Sequence, residues 1–201
     1  LASKYNKTKE VSVCFFGDGT TNIGAFHEAL NMAKIWDLPI VFVCENNLYM
    51  EYTAISEVTA VEHPAADRAS AYSLDKIIVD GNDADEMYRT AQTAIKKARD
   101  GHGPSLIEAK TYRHSGHSRA DPGKYRPDEE VKDWMENKDP IKNYRQKLLE
   151  FNIDEKTITG IESKIQQQVE EATNISKNSP IPDIKEIYTD VWADGGYKWH
   201  N

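Results

Sequence analysis

Short apolar runs punctuate this chain, and each stops at a polar or glycine-containing step. Val11 to Phe16 is rich in β-branched and aromatic residues and ends at Gly17, which are the length and flanks of a buried strand. From Ile23 to Trp36 the apolar members Phe26, Ala29, Leu30, Ala33 and Trp36 fall at helical spacing, so a helix is predicted there. Pro39 cannot continue it. Ile40 to Cys44 predicts a second buried strand, closed by Glu45-Asn46-Asn47. No firm periodicity runs from Tyr49 to Tyr72; Thr53 to Pro64 reads as loop and Ala65 to Tyr72 as a short helix. Lys76 to Val79 predicts a third strand and Pro104 to Lys110 a fourth. Between them Asp83-Ala84-Asp85-Glu86 resembles a capping box that opens a helix to about Arg99, with Gly101 as its stop.

Apolar strands alternating with helices predict an α/β fold: a parallel sheet with helices on both faces. Ligands of such sheets sit beyond the carboxyl ends of the strands. Here those ends carry Gly17-Asp18-Gly19, Asn46-Asn47, Asp80-Gly81 and Tyr112-Arg113-His114. A long basic and polar loop, Thr111 to Pro127, follows the fourth strand, and loops of that length in compact domains serve function or are disordered. Helices are predicted from Asp128 to Trp134, from Pro140 to Phe151, and along the stripe Ile158, Ile161, Ile165, Val169 and Ile175. Pro180 and Pro182 break that pattern, and Ile184 to Trp192 reads as a short helix that packs on a partner. The division implied is an α/β domain over 1–140 and a helical C-terminal extension over 141–201.

Composition narrows the function classes. At 39% apolar and 29% charged the chain reads as an ordinary globular protein. A net charge of −8 argues against nucleic acid as a partner, since phosphate backbones want clustered Lys and Arg. No apolar run approaches the ~20 residues of a membrane helix, so no membrane partner is expected. Cys14 and Cys44, the two cysteines, both lie in strand-like runs and read as buried thiols of a reducing compartment. The chain starts at Leu1 without a recognisable signal and reads as a processed chain or a fragment.

The chemistry concentrates in one β-α-β unit. Its two adjacent strand ends offer a carboxylate at Asp18 and an amide at Asn47, hard oxygen donors of the kind Mg²⁺ takes, with phosphate oxygens and water completing the shell. Gly17 and Gly19 let the backbone turn tightly beside a phosphate. The N–H groups after Gly19 start a helix whose positive end favours an anion. The unit therefore reads as a diphosphate–Mg²⁺ clamp.

Gly17-Asp18-Gly19 with Glu45-Asn46-Asn47 matches the thiamine-diphosphate motif. The stretch GDGTTNIGAFHEALNMAKIWDLPIVFVCENNLY is similar to the alpha subunits of pyruvate, acetoin and branched-chain 2-oxo acid dehydrogenases, and TYRHSGHSRADPGKYRPDEEV followed by KDPI resembles a second block of that family. The resemblance covers Leu1 to Ile141 and implies a thiamine-diphosphate-binding fold. It implies Mg²⁺ ligation by the side chains of Asp18 and Asn47 and by the carbonyl of Tyr49. Backbone contacts from Gly19 and Thr20 would reach the diphosphate, and His117 would lie beside the cofactor in a catalytic role. The implied reaction is decarboxylation of a 2-oxo acid with acyl transfer to a lipoyl group. Pyruvate is the default substrate; acetoin and branched-chain enzymes are the alternatives. Implied partners are a beta subunit, in a heterotetramer of two alpha and two beta chains, and the lipoyl acyltransferase of the complex. The glutamate that activates the cofactor would come from the beta subunit, and further diphosphate contacts from a segment N-terminal to this one. Ser118 matches the position phosphorylated in mitochondrial members, but Arg119 follows it and a Lys occupies the region of a second phosphorylated serine. Those departures favour a kinase-free enzyme in a bacterial or archaeal cytoplasm over one in a mitochondrial matrix or plastid.

Other readings are weaker. Asn46 reads as structural, His27 and Glu28 as surface or packing groups, and His63 and His102 as solvent-facing. Haloacid-dehalogenase-type phosphatases also use Gly-Asp-Gly, but need an upstream Asp-x-Asp nucleophile that is missing from this sequence. A non-catalytic binding protein on the same fold would have no reason to keep the full set of cation donors.

Overall fold

A computed structural model describes residues 1–189. The chain forms two compact units, Leu1–Leu148 and Leu149–Asn201. The first opens with helix α1 (Ala2–Tyr5) and continues β1 (Ser12–Gly17), α2 (Gly24–Ile35), β2 (Ile40–Asn46), a hairpin of β3 (Tyr49–Met50) and β4 (Thr53–Ala54), α3 (Ile55–Val58), α4 (Ala66–Ala69), β5 (Ile77–Asp80), α5 (Ala84–Arg99) and β6 (Ser105–Lys110). Helices α6 (Asp128–Asn137) and α7 (Pro140–Glu150) follow the long loop.

The predicted parallel sheet forms, with strand order β1-β2-β6-β5 and every pair parallel. Alternating side chains divide between its faces, as the period of two requires. Phe42, Cys44 and Leu106 pack under Phe26, Leu30 and Ala33 of α2 and the alanines of the α4 region. On the other face Val41, Val43, Val79 and Ile107 pack under Ala94 and Ala98 of α5. Each fully buried Leu, Ile, Val or Phe contributes roughly 1.5–3 kcal/mol through apolar burial, so these two layers hold the sheet ends in place.

Strand β1 departs from the expectation of strands covered on both faces. It is a sheet edge, and Val13 and Phe15 stand 43% and 64% exposed. The α5 layer covers β2, β6 and β5, and Val13 and Phe15 do not belong to its core cluster. Cys14, on the opposite face of the same edge strand, is also exposed, contrary to the prediction of two buried thiols; Cys44, on the central strand β2, is buried.

Helix α5 starts where the capping signal put it. Asp83 accepts hydrogen bonds from the N–H groups of Asp85 and Glu86 at 2.9 and 3.0 Å. Only half of the box is made, because the Glu86 carboxylate reaches the Asp80 N–H at 3.4 Å instead. The helix ends at Gly101, whose φ of +85° suits a residue without a Cβ. The segment predicted as loop from Thr53 holds β4 and α3. Those elements are too short for a periodic signal.

In the second unit, α8 (Glu155–Asn178) is the predicted amphipathic helix. Asp154 caps it, accepting from the Thr157 N–H at 2.7 Å. Ile184–Tyr188 forms one 3-10 turn that ends at Thr189; the remainder of the predicted tail helix, residues 190–192, lies outside the described residues. No helix of the described residues is long and apolar enough to cross a membrane.

Candidate functional site

Sheet register aligns the strand ends. Gly17 pairs with Glu45, while Asn46 and Asp80 both pair with Lys110, so the residues that follow Gly17 and Asn46 leave the sheet at the same edge. Asp18 begins a 3-10 turn, Asp18–Asn22, that leads into α2. Its side chain is 2% exposed. One oxygen, Oδ1, accepts from the Gly19 N–H at 2.8 Å; the Asp18 carbonyl accepts from the Thr21 hydroxyl at 2.7 Å. The other carboxyl oxygen, Oδ2, is buried and has no hydrogen-bond partner. Burial raises this carboxyl above its ordinary range, and the Gly19 and Asp18 N–H groups offset that only in part. A buried, half-satisfied carboxylate is costly, and a bound cation is the compensation that fits its chemistry.

Two consecutive side-chain turns shape the other half. Asn46 Oδ1 accepts from the Leu48 N–H at 3.1 Å, and Asn47 Oδ1 accepts from the Tyr49 N–H at 3.1 Å. Between them Leu48 is held at φ +73°, a conformation that a side chain adopts only when its surroundings demand it. The Asn47 amide oxygen uses one lone pair in this turn and keeps a second for a ligand. Asn46 is structural, as read: it is fully buried and donates to Glu108 Oε1 at 2.7 Å.

The hairpin brings the halves together. A Cβ on Gly19 would run into the Met50 side chain of β3, so glycine is required for this approach. Thr20, half-buried in the same turn, accepts from the Ile23 N–H through its carbonyl at 3.0 Å. Tyr49 is buried and donates its hydroxyl to Glu130 Oε1 at 2.9 Å; burial and this bond push its phenol up to about 12. Tyr112 donates to the same oxygen at 2.7 Å and stacks on Trp134 at 5.1 Å.

The His117 loop is fastened to this hairpin. Arg113 contacts His117 Nδ1 at 2.9 Å and donates to the Glu51 carbonyl and the Tyr125 hydroxyl, each at 2.6 Å. Since guanidinium only donates, Nδ1 is the acceptor, and the neutral ring carries its proton on Nε2. The His117 ring also meets Tyr52 edge-on at 5.8 Å. Asp121 closes the loop: Oδ2 accepts from the His117 N–H at 2.6 Å and the Tyr125 hydroxyl at 2.8 Å, and Oδ1 from the Gly123 N–H at 2.8 Å. Arg126, 5% exposed, lies 5.3–5.9 Å from the ring centres of Tyr49, Tyr112 and Tyr125 and donates to the carbonyls of Arg113 and Ser115.

Asp18, Gly19, Asn47 and Tyr49 thus converge through the hairpin. His117 joins them by way of Arg113 and is exposed. The sequence pattern places Arg113 at a strand end without a role, and does not single out Glu108, Glu130 or Arg126. A carboxyl inside an apolar strand was the one available signal for Glu108. Nothing in the spacing marks Glu130 or Arg126. His63, read as solvent-facing, has a side chain only 18% exposed. Among the described residues no three His, Cys, Asp or Glu side chains cluster as a metal site; the donors gathered here are one carboxylate, one amide and a backbone carbonyl.

Comparison with known proteins agrees with the motif. The model of the dehydrogenase E1 component family matches residues 1–185. The chain is 44% identical, over 193 residues, to the alpha subunit of acetoin:2,6-dichlorophenolindophenol oxidoreductase of Bacillus subtilis strain 168, covering 96% of this chain and 57% of that one. It is 39% identical over 192 residues to the pyruvate dehydrogenase E1 component alpha subunit of Zymomonas mobilis, covering 95% and 54%. With the corresponding subunit of Rickettsia felis it shares 38% over 194 residues, covering 96% and 59%. The chain therefore spans little more than half the length of these relatives.

Proposed function

This chain belongs to the dehydrogenase E1 component family, and from that premise we propose that it is the cofactor-binding part of the alpha subunit of a thiamine-diphosphate-dependent 2-oxo acid dehydrogenase. The observation that carries the reading is the buried Asp18 carboxylate, with Oδ2 unpartnered at the carboxyl edge of a parallel sheet. Thiamine diphosphate, when bound, supplies the carbon nucleophile and electron sink for decarboxylation. The chain's own residues do the holding. Asp18, Asn47 and the Tyr49 carbonyl take Mg²⁺, and the backbone of Gly19 and Thr20 meets the diphosphate. A cation at Oδ2 offsets the burial of Asp18, and the Asn46–Leu48 turn holds Asn47 ready for it. His117, oriented by Arg113, presents Nε2–H for contact with the acyl group being transferred.

The same proposal includes a beta subunit completing a heterotetramer, a lipoyl acyltransferase as acyl acceptor, and a cytoplasmic location. It also includes the division into a cofactor domain over 1–140 and a helical extension over 141–201. Pyruvate is the proposed substrate. Acetoin is the second reading, supported by the higher identity to the Bacillus acetoin relative than to the pyruvate relatives. Calorimetric titration of thiamine diphosphate into the chain assembled with its beta partner, with and without Mg²⁺, tests the cofactor reading. Binding that requires Mg²⁺ is expected; its absence from a demonstrably assembled complex whose alpha chain also carries the segment N-terminal to this one refutes it. Turnover of pyruvate against acetoin then separates the two substrates.

A further inference from the structure

Glu108 sits in the middle of β6 between apolar neighbours and has no exposed surface. Burying a carboxylate is expensive unless it is well hydrogen-bonded, and an apolar side chain of similar volume would serve packing at least as well. What Glu108 does that an apolar residue could not is join separate elements. Its Oε1 accepts from Asn46 Nδ2 at 2.7 Å, and through Asn46 Oδ1 that contact reaches the left-handed Leu48 turn that shapes Asn47. Its Oε2 accepts from the N–H groups of Ala65 and Ala66 at 3.0 and 2.8 Å. From the helix those alanines open, Arg68 donates to the Thr21 carbonyl at 2.5 Å and to Asn22 Oδ1 at 2.9 Å. Those two acceptors belong to the 3-10 turn that begins at Asp18. One oxygen of Glu108 thus holds the amide half of the cation site, and the other holds, through α4 and Arg68, the carboxylate half.

We propose that Glu108 is a positioning residue that sets the spacing between Asp18 and Asn47, with Arg68 as the far end of the same tie. The inference rests on the cofactor reading above. Partners of this kind, one step removed from a metal, typically change affinity by about 10- to 100-fold when altered.

The test uses the alpha chain assembled with its beta subunit and two readouts. One is Mg²⁺-dependent thiamine diphosphate affinity by calorimetry; the other is the electron paramagnetic resonance spectrum of Mn²⁺ in place of Mg²⁺. Glu108→Gln turns an amide nitrogen toward either Asn46 Nδ2 or the Ala65 and Ala66 N–H groups. It should weaken binding by about 10-fold or more and change the Mn²⁺ spectrum. The double variant Asn46→Asp/Glu108→Gln keeps the net charge and restores every bond, with donor and acceptor exchanged only between positions 46 and 108 while the Leu48, Ala65 and Ala66 N–H groups still donate, so it should recover affinity and spectrum. Asn46→Asp alone sets two carboxylates against each other and should be the weakest. Arg68→Ala, at a half-buried site, should weaken binding in a protein that still melts cooperatively. If Glu108→Gln does not fold, Arg68→Ala and the double variant decide. Wild-type affinity in Arg68→Ala or in folded Glu108→Gln, or a double variant no better than Glu108→Gln, overturns the inference while leaving the cofactor reading intact. A wild-type assembly that binds no cofactor removes both.

Discussion

Replacing Asp18 by Asn should make the cofactor-free chain more stable while abolishing Mg²⁺-dependent binding. The carboxyl is 2% exposed, and only Oδ1 has a partner, the Gly19 N–H. Asn keeps that acceptor and replaces the charged orphan at Oδ2 by a neutral one. An unsatisfied buried group costs about 1–3 kcal/mol, with charged groups at the upper end or beyond, so the neutral replacement should gain on the order of 1 kcal/mol. With a urea dependence of about 1–3 kcal/mol/M, the denaturation midpoint should rise by roughly 0.3–1 M. The pH dependence has a definite sign. The folded carboxyl titrates above the ordinary 3.8 because burial disfavours its charge. The folded state therefore keeps a proton that the unfolded chain has lost, and wild-type stability falls as pH rises through the window that begins at 3.8. The advantage of the Asn variant should appear across that window, grow until pH passes the raised folded value, and vanish below 3.8. In the beta-subunit assembly, wild type should gain about 2.7 kcal/mol from ligand at 100 times Kd, and the variant nothing. Urea melts at pH 3 to 7 and calorimetry check this. An Asn variant less stable than wild type at neutral pH would refute the reasoning, since Asp18 would then be a satisfied structural carboxylate.

Other perturbations have equally direct outcomes. Gly19→Ala drives a Cβ into the Met50 side chain and should weaken cofactor binding, and Met50→Ala in the same chain should restore it in calorimetry. Tyr112→Phe removes one of two hydroxyls bonded to Glu130 Oε1 and should cost about 1 kcal/mol in urea melts; Glu130→Ala, which strands both phenols, should cost more. Asp121→Asn should loosen residues 115–123, read as faster amide exchange. Burial opposes ionisation of Asp121, but bonds from the Gly123 and His117 N–H groups and the Tyr125 hydroxyl outweigh it and hold the carboxyl below its ordinary 3.8. The loop's added protection should therefore be present above that value and be lost as pH falls through the lower folded value. His117→Ala should lower acyl transfer in stopped-flow assays more than it lowers cofactor affinity; an unchanged rate removes His117 from the reaction.

Local signals sufficed for much of this protein. The four sheet strands, α2, α5 and α8 are each long enough to show their period or their caps. Asp83 before the first turn of α5 and Gly101 after its last illustrate the point. Asp18 and Asn47 were legible because adjacent parallel strands must end at the same edge, so a carboxylate and an amide at successive strand ends are brought near each other by topology alone. Tertiary structure decided what depends on partners distant in sequence. The exposure of Val13 and Phe15 follows from edge position and from where α5 lies, and that of Cys14 from the same edge position, which no pattern within Val11–Phe16 encodes. The β3–β4 hairpin is too short for periodicity, yet it carries Met50 to Gly19 and Glu51 to Arg113. Glu108 reads locally as an anomaly in an apolar strand. It gains meaning only when β2 and the start of α4 bring Asn46, Ala65 and Ala66 to its two oxygens, because a buried carboxyl is defined by the donors that surround it and those come from two segments distant from it in sequence.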